Sequence, residues 1–189
     1  MADEKKEIIL NAAIDVFARQ GFYKTNTSSI AEEGAVAVGT IYNYFDSKEA
    51  ILEEIFAREL RWRLQMLEEV GEREDLDIIE KLEKFLERHF ERVRENPNLG
   101  QVLVREREFP RKKSEAMAGY FYGLPEKFAD IIDEAREEGE VEVGNSEVAA
   151  SIIFGAFQGI TENALRDCDL DLLAAGKKEI VNILTAGIV

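Results

Sequence analysis

Residues 27–52 read TSSIAEEGAVAVGTIYNYFDSKEAIL, and the fold follows from them. Ile30, Val36 and Ile41 are spaced to make a small shared core between two short helices, and Ala31 is small enough to let them cross closely. Thr25-Asn26-Thr27-Ser28-Ser29 offers several N-cap candidates for the first helix of the pair. A turn near Gly34-Ala35 leads to the second, over Val38 to Tyr44. Thr40, Tyr42, Asn43 and Tyr44 then fall on its outer side, where hydroxyls and an amide can bond phosphates and base edges. Unpaired N–H groups at the start of that helix add phosphate attraction that no charge count records. Two short helices that present the second to a DNA groove are a helix-turn-helix.

Outward from this motif the chain reads as helices almost throughout, with 3 Pro and no alternating Val/Ile/Thr strands. Upstream, Ile8, Ile9, Ala12, Ala13, Val16 and Phe17 share a helical face that Gly21 ends. Downstream, Asp46-Ser47-Lys48-Glu49 caps a long fourth helix with Ile51, Leu52, Ile55, Phe56, Leu60 and Leu64 inward. A fifth helix carries Ile78, Ile79, Leu82, Phe85, Leu86, His89, Phe90 and Val93 and must stop at Asn96-Pro97. A short sixth runs to about Phe109, where Pro110 breaks the pattern. A long seventh spans Ser114 to Glu138, with Pro125 predicting a kink or a break inside it. Ser146 caps an eighth, and Asp169 to Ile188 form the last. The expectation is an all-α fold of about nine helices, with residues 1–46 as a helix-turn-helix domain and 47–189 as a larger helical ligand-binding and dimerisation domain.

Charge argues the other way. The net charge is −15, whereas neutralising phosphates normally takes a surplus of Lys and Arg. Residues 1–48 hold five Lys and Arg against seven Asp and Glu, net −2, which leaves −13 on the rest. A near-neutral head on a body that repels DNA should bind with unusual sensitivity to salt. Cys168 cannot pair within the chain, and one Cys with one His cannot supply a structural zinc site, so no metal or cofactor is implied. No apolar run approaches the roughly 18 residues of a membrane span, and no signal peptide opens the chain; the expected location is the cytoplasm, with no membrane partner. A Gly-rich phosphate loop, a His-Glu-x-x-His motif and a Ser/His/Asp set are all missing, so an enzyme is not expected.

The run Ile30-Ala31, then Val36, then Gly39 to Leu52, resembles the TetR-family signature, and Ile9 to Gly21 resembles that family's first helix. The likeness spans about the first 55 residues. It implies operator contacts by Thr27, Ser28, Val38, Gly39, Thr40, Tyr42, Asn43, Tyr44 and Lys48, and a homodimer on double-stranded operator DNA. Where the family usually has Ala-Gly-Val-Ser this chain has Gly34-Ala35-Val36-Ala37, which displaces the turn glycine and removes a hydroxyl. Either Ala35 takes a left-handed conformation, at about 1–2 kcal/mol, or Gly34 takes the strained angle and the turn shifts.

The second domain must be read from pattern. Gly155-Ala156-Phe157-Gln158-Gly159 places two glycines four apart beside Ile152, which would let another helix pack closely. With Ile183 and Leu184 on the last helix, Ile152, Gly155 and Gly159 are the candidate dimer interface. Aromatics concentrate on helices five, seven and eight: Phe85, Phe90, Tyr120, Phe121, Tyr122, Phe128, Phe154 and Phe157 are either plain core or the wall of an apolar pocket. His89 lies on that inner face, as a core histidine or a ligand contact. Leu103 is a further candidate ligand contact, and Arg105 and Arg107 open the one basic cluster, which continues to Arg111, Lys112 and Lys113 and is either a solvated face or a mouth for an anionic head group. His89-Phe90, Asn96 to Leu99, Val102 to Glu108 and Ile153-Phe154-Gly155 look similar to the fatty-acid-degradation, FadR-like repressors of the family, which implies a small lipophilic ligand, long-chain acyl-CoA. Two alternatives stay open: an efflux-pump regulator sensing lipophilic cations, and a helical ligand-binding scaffold that does not read DNA.

Overall fold

A computed structural model describes residues 2–108 and 118–188. Among the described residues there are nine α-helices and no strand: α1 Ala2–Gln20, α2 Thr27–Glu33, α3 Val38–Tyr42, α4 Lys48–Gly71, α5 Ile78–Glu95, α6 Pro97–Arg105, α7 Leu124–Glu137, α8 Ser146–Arg166 and α9 Asp171–Ile188. A single 3-10 turn, Glu106–Glu108, continues α6, and a π-helical turn, Gly119–Gly123, precedes α7. None of these helices is long and apolar enough to cross a membrane.

Local chemistry sets most boundaries. Gly21, at φ +84, ends α1 by donating its amide to Phe17 O at 2.8 Å. Asn26 is the cap of α2 and accepts from the Ser29 amide at 2.9 Å, while Ser47 caps α4 through the Ala50 amide. Asp77 and Glu80 form a reciprocal capping box on α5. Pro97 opens α6, where its missing N–H leaves no intrahelical bond unmade. Pro125 lies in the first turn of α7, so the irregularity expected there is the π turn just before it.

Several expected details are corrected. Ile8 is 40% exposed, because α1 turns Ile9, Leu10, Ala13 and Phe17 inward and leaves Ile8 at the rim beside Gly34. Helix α3 stops at Tyr42 rather than Tyr44, with Asn43 as its C-cap. Helix α6 ends at Arg105, while Phe109, Arg111, Lys112, Lys113 and the expected helix start at Ser114 lie outside the described residues. The cap of α8 is Asn145, whose side chain accepts from Val148 N; Ser146 instead donates its hydroxyl to Asp133 at 2.7 Å. The last helix begins at Asp171, after Cys168 has turned the chain at φ 52.

The head packs α1, α2 and α3 around Ile9, Ala13, Phe17, Ile30 and Ile41, all fully buried. In the body, α7 and α9 flank α8, and α5 packs between α4 and α9. Helix α4 runs through both regions, contributing Ile51 and Ile55 near one end and Met66 and Leu67 near the other. Its middle turn carries an acid: Glu59 is wholly buried, takes Arg63 at 2.6 Å, and accepts a fork from Arg92 of α5 on both oxygens. Trp62 covers the group, its ring 4.6 Å from the Arg92 guanidinium. Burial pushes Glu59 upward, but the hydrogen bonds and charges of Arg92 and Arg63 win and hold it below the ordinary carboxylate range. A lone charge left in this place would cost about 3–5 kcal/mol, so the triad locks α5 to α4 at one register.

Candidate DNA-reading and ligand-sensing sites

The turn of the helix-turn-helix resolves the two readings of Gly34-Ala35. Ala35 takes the left-handed angle, φ 49, and Gly34 does not, at φ −81 and ψ 2. Gly34 serves another need: a Cβ there would lie 3.2 Å from Ala12 Cβ and 3.4 Å from Ile8 Cγ2. The glycine therefore permits α2 to close on α1, and the alanine bears the strain. Ala37 is the N-cap of α3 and offers no side-chain bond, so the hydroxyl lost relative to the family pattern has no replacement.

Val38, Gly39, Tyr42 and Asn43 are exposed on α3, and nothing crowds Gly39 within 4 Å of where a Cβ would stand. Tyr42 is 53% exposed and its hydroxyl lies 3.2 Å from Thr27 Oγ1, which aligns the α2 start with the α3 face. Ser28 is exposed and Thr40 half-buried. Tyr44 departs from the expected outer side: beyond the end of α3 it is half-buried against the core. Lys48 is engaged within the head. Its ammonium donates to Phe22 O at 3.0 Å and Thr25 O at 2.9 Å and sits 4.4 Å from the Phe22 ring centroid.

In the body, the aromatic residues form a column along α8. Phe85 meets Phe128 edge-on at 4.6 Å, and His89 lies 4.7 Å from Phe157, which touches Phe154 at 5.0 Å. Phe85 and Phe128 line a narrow apolar cavity of about 40 Å³, with Leu67 and Val70 of α4, Ile153 of α8 and Leu184 of α9 among the other walls. His89, Leu103, Phe154 and Phe157 do not line it; they are buried as packing. The side chains of Tyr120 and Phe121 lie outside the described residues.

His89 is buried with Nε2 3.3 Å from Thr161 Oγ1. The Thr161 hydroxyl already donates to Phe157 O at 2.8 Å, so Nε2 carries the imidazole proton and Nδ1 is left as a buried acceptor. Burial and, after it, the Arg63 charge push this imidazole well below its ordinary value of 6.5, so it is neutral.

Positions 153, 157, 161 and 165 share one side of α8, and the last, Leu165, borders a surface groove with Gln101, Val104, Arg105, Arg107, Glu162 and Arg166. Arg107 pairs with Glu162 at 2.8 Å. Arg105 turns toward the head, reaching Ala18 O and passing under Gly21. Twelve residues separate cavity-lining Ile153 from groove-lining Leu165, about 18 Å of helix.

Outside this column, Ile152 is 63% and Ile183 68% exposed, with Val148 beside them, and nothing lies within 4 Å of a Cβ at Gly155 or Gly159. These residues leave apolar side chains and two uncrowded glycines exposed. Leu184 is half-buried and lines the cavity. Within the chain a close approach of helices is made at Gly176, where a Cβ would meet Ile160 at 2.5 Å.

Residue reading missed Glu59, Arg63 and Arg92. An acid and a base four apart on the apolar stripe of α4 were the available signal. It also missed Glu106, which is 5% exposed and accepts from the Phe22 amide at 3.1 Å. No local pattern marks that bond, because its partners are 84 residues apart.

A helix-turn-helix head joined by one long helix to an all-helical body with an apolar cavity is the plan of a ligand-sensing regulator of transcription. The tetR family of bacterial regulatory proteins matches residues 9–55, and a tetracyclin repressor-like C-terminal domain matches residues 75–162. The chain is 30% identical over 187 residues to the fatty acid metabolism regulator protein of Bacillus subtilis, covering 95% of this chain and 93% of that one. It belongs to the tetR family. The transcriptional regulator FadR from Bacillus subtilis, solved in complex with stearoyl-CoA, superposes with a TM-score of 0.84 at 27% identity, over 97% of this chain and 99% of that chain. FadR from Bacillus halodurans superposes with a TM-score of 0.83, also at 27% identity, over 97% and 95%.

Proposed function

We propose that this protein is a cytoplasmic, homodimeric repressor of fatty-acid metabolism genes that leaves a palindromic operator when it binds a long-chain acyl-CoA. The observation that carries the reading is the likeness along nearly the whole chain to a fatty acid metabolism regulator, body included, since bodies in this family diverge with their ligands. The body chemistry supports it. Apolar walls at Ile153 and Phe128 suit an acyl chain, and the groove with Arg105, Arg107 and Arg166 suits the phosphates of CoA. About 18 Å of α8 between them matches the reach of an extended long acyl chain.

The cavity at 40 Å³ is far below the roughly 300 Å³ that small-molecule sites need, so a chain entering it parts the rings and presses on Leu67 and Val70 of α4. In this reading residues 1–46 read the operator through α3, residues 47–189 sense and dimerise, and Ile152, Ile183, Gly155 and Gly159 meet their copies across a twofold axis. Displacing α4 then changes the separation of the two α3 helices, which must span one turn of DNA, about 34 Å. The test is to select an operator from random duplex DNA and titrate stearoyl-CoA into the complex. Release, with palmitic acid or CoA alone ineffective, supports the reading; demonstrated stearoyl-CoA binding with undiminished operator affinity overturns it.

A further inference from the structure

Helix α6 is clamped between head and body. On its body side, Gly100 lets Leu165 of α8 approach within 3.0 Å of where a Cβ would stand. On its head side it lies along α1: Asn98 donates to Asp15 at 2.8 Å near one end, and Arg105 reaches Ala18 O at the other. The chain then enters its 3-10 turn, and Glu106 swings its carboxylate inward to accept the Phe22 amide. The carbonyl of the same Phe22 accepts from Lys48, the first residue of α4. One residue, Phe22, just past the end of α1, is therefore held through both of its flanking peptides, by α4 on its carbonyl oxygen and by the α6 extension on its amide nitrogen.

The placement of Glu106 needs a reason. A carboxylate beside the C-terminus of α1 sits at the negative end of a helix dipole, and burying it adds a desolvation cost. A neutral acceptor would hold Phe22 as well. The neighbours supply the reason: Arg105 and Arg107, on either side of Glu106 in sequence, both line the groove against α8. Arg105 is split between that groove and the head, where its guanidinium lies under Gly21. An anion in the groove draws Arg105 away from α1 and leaves the Glu106 carboxylate against a helix C-terminus with that nearby positive charge withdrawn.

We infer that Glu106 is the positioning residue through which the head is fixed to the body: its bond to the Phe22 amide holds the operator-reading helices in place, and an anionic group taken up by Arg105 releases it. This rests on the acyl-CoA reading only for the identity of the anion. The anchoring itself is independent of it. While anchored, the two heads of a dimer keep one separation; once released, each gains freedom that operator binding must remove again.

The experiment compares wild type, Glu106→Ala and Glu106→Gln as full-length dimers. The readouts are operator affinity by fluorescence anisotropy, with and without stearoyl-CoA, and exchange of the Phe22 amide by mass spectrometry at the residue level. Glu106→Ala should bind operator about tenfold more weakly than wild type without ligand and lose little more when stearoyl-CoA is added, as coupling energies of this kind allow. By linkage its stearoyl-CoA affinity should not fall and should rise by up to a similar factor, because binding no longer has to break the anchor. Glu106→Gln keeps an acceptor oxygen for Phe22, so it should restore operator binding while responding less to stearoyl-CoA. In wild type, stearoyl-CoA should speed Phe22 exchange without speeding that of Ile41 in α3. Wild-type operator affinity in Glu106→Ala overturns the inference, as does a Phe22 amide that stays protected while operator is released. Should Glu106→Ala fail to fold, the exchange measurement on wild type still decides. A wild type indifferent to stearoyl-CoA, beside a weakened Glu106→Ala, sinks the acyl-CoA reading and leaves the anchor standing.

Discussion

Replacing Ala35 by glycine should stabilise the protein, and the size of the gain can be worked from the turn itself. Ala35 stands at φ 49, where a Cβ crowds its own carbonyl at about 1–2 kcal/mol. Glycine escapes that cost but loses more freedom on folding, about 0.4–1 kcal/mol. The difference favours Ala35→Gly by about 0.5–1 kcal/mol, a rise in Tm of about 1–4 °C for a chain of this length. The side chain itself is exposed, so no packing is lost to offset the gain. Gly34→Ala is the paired control. Its Cβ would stand 3.2 Å from Ala12 Cβ and 3.4 Å from Ile30 O, so α1 and α2 must part by a few tenths of an ångström. Overpacking of that kind costs about 1–3 kcal/mol, which exceeds the backbone gain from removing a glycine. Restoring the family's order by exchanging both residues should therefore still leave the protein less stable than Ala35→Gly alone. The assay is urea unfolding followed by circular dichroism at one fixed protomer concentration, because a dimer's stability depends on it. An Ala35→Gly midpoint at or below that of wild type would refute the strain argument.

Other expectations follow from the same geometry. Tyr42→Ala should weaken operator binding by about tenfold or more and leave Tm within about 2 °C, since the ring is half exposed and its hydrogen bond to Thr27 is at the surface; a large drop in Tm would place Tyr42 in the core instead. Ile183→Glu puts a charge on the exposed apolar face of α8 and α9, and sedimentation equilibrium should show monomers at concentrations where wild type is dimeric. Persisting dimers would move the interface elsewhere. His89 makes stability pH-dependent: its folded pKa lies below 6.5, so the unfolded chain takes the proton first. That contribution is whole above about pH 6.5 and falls by about 1.4 kcal/mol per unit below it. His89→Gln should flatten the fall in Tm between about pH 7 and pH 5.5, and equal slopes would show that His89 does not titrate as described.

What the amino-acid sequence determined by itself was the set of helices and the class of protein. Apolar spacing in α1, α5 and α8, the capping residues Asn26 and Ser47, Gly21 and Pro97 all act within a few residues of the boundary they set, so they are legible locally. The helix-turn-helix is local for the same reason, because Ile30, Val36 and Ile41 are close in the chain and meet directly. Even its ambiguity was visible at Gly34-Ala35. Tertiary structure alone decided which of the two residues bears the left-handed angle, since the choice depends on Ala12 of another helix. It alone placed Tyr44 against the core, divided the aromatic residues between cavity wall and packing, and turned Arg105 toward the head. The buried Glu59 triad and the Glu106 anchor are the extreme cases. A carboxylate reads as a surface residue until distant partners, Arg92 for one and the Phe22 amide for the other, make its burial affordable, and partners 33 and 84 positions away leave no periodic trace.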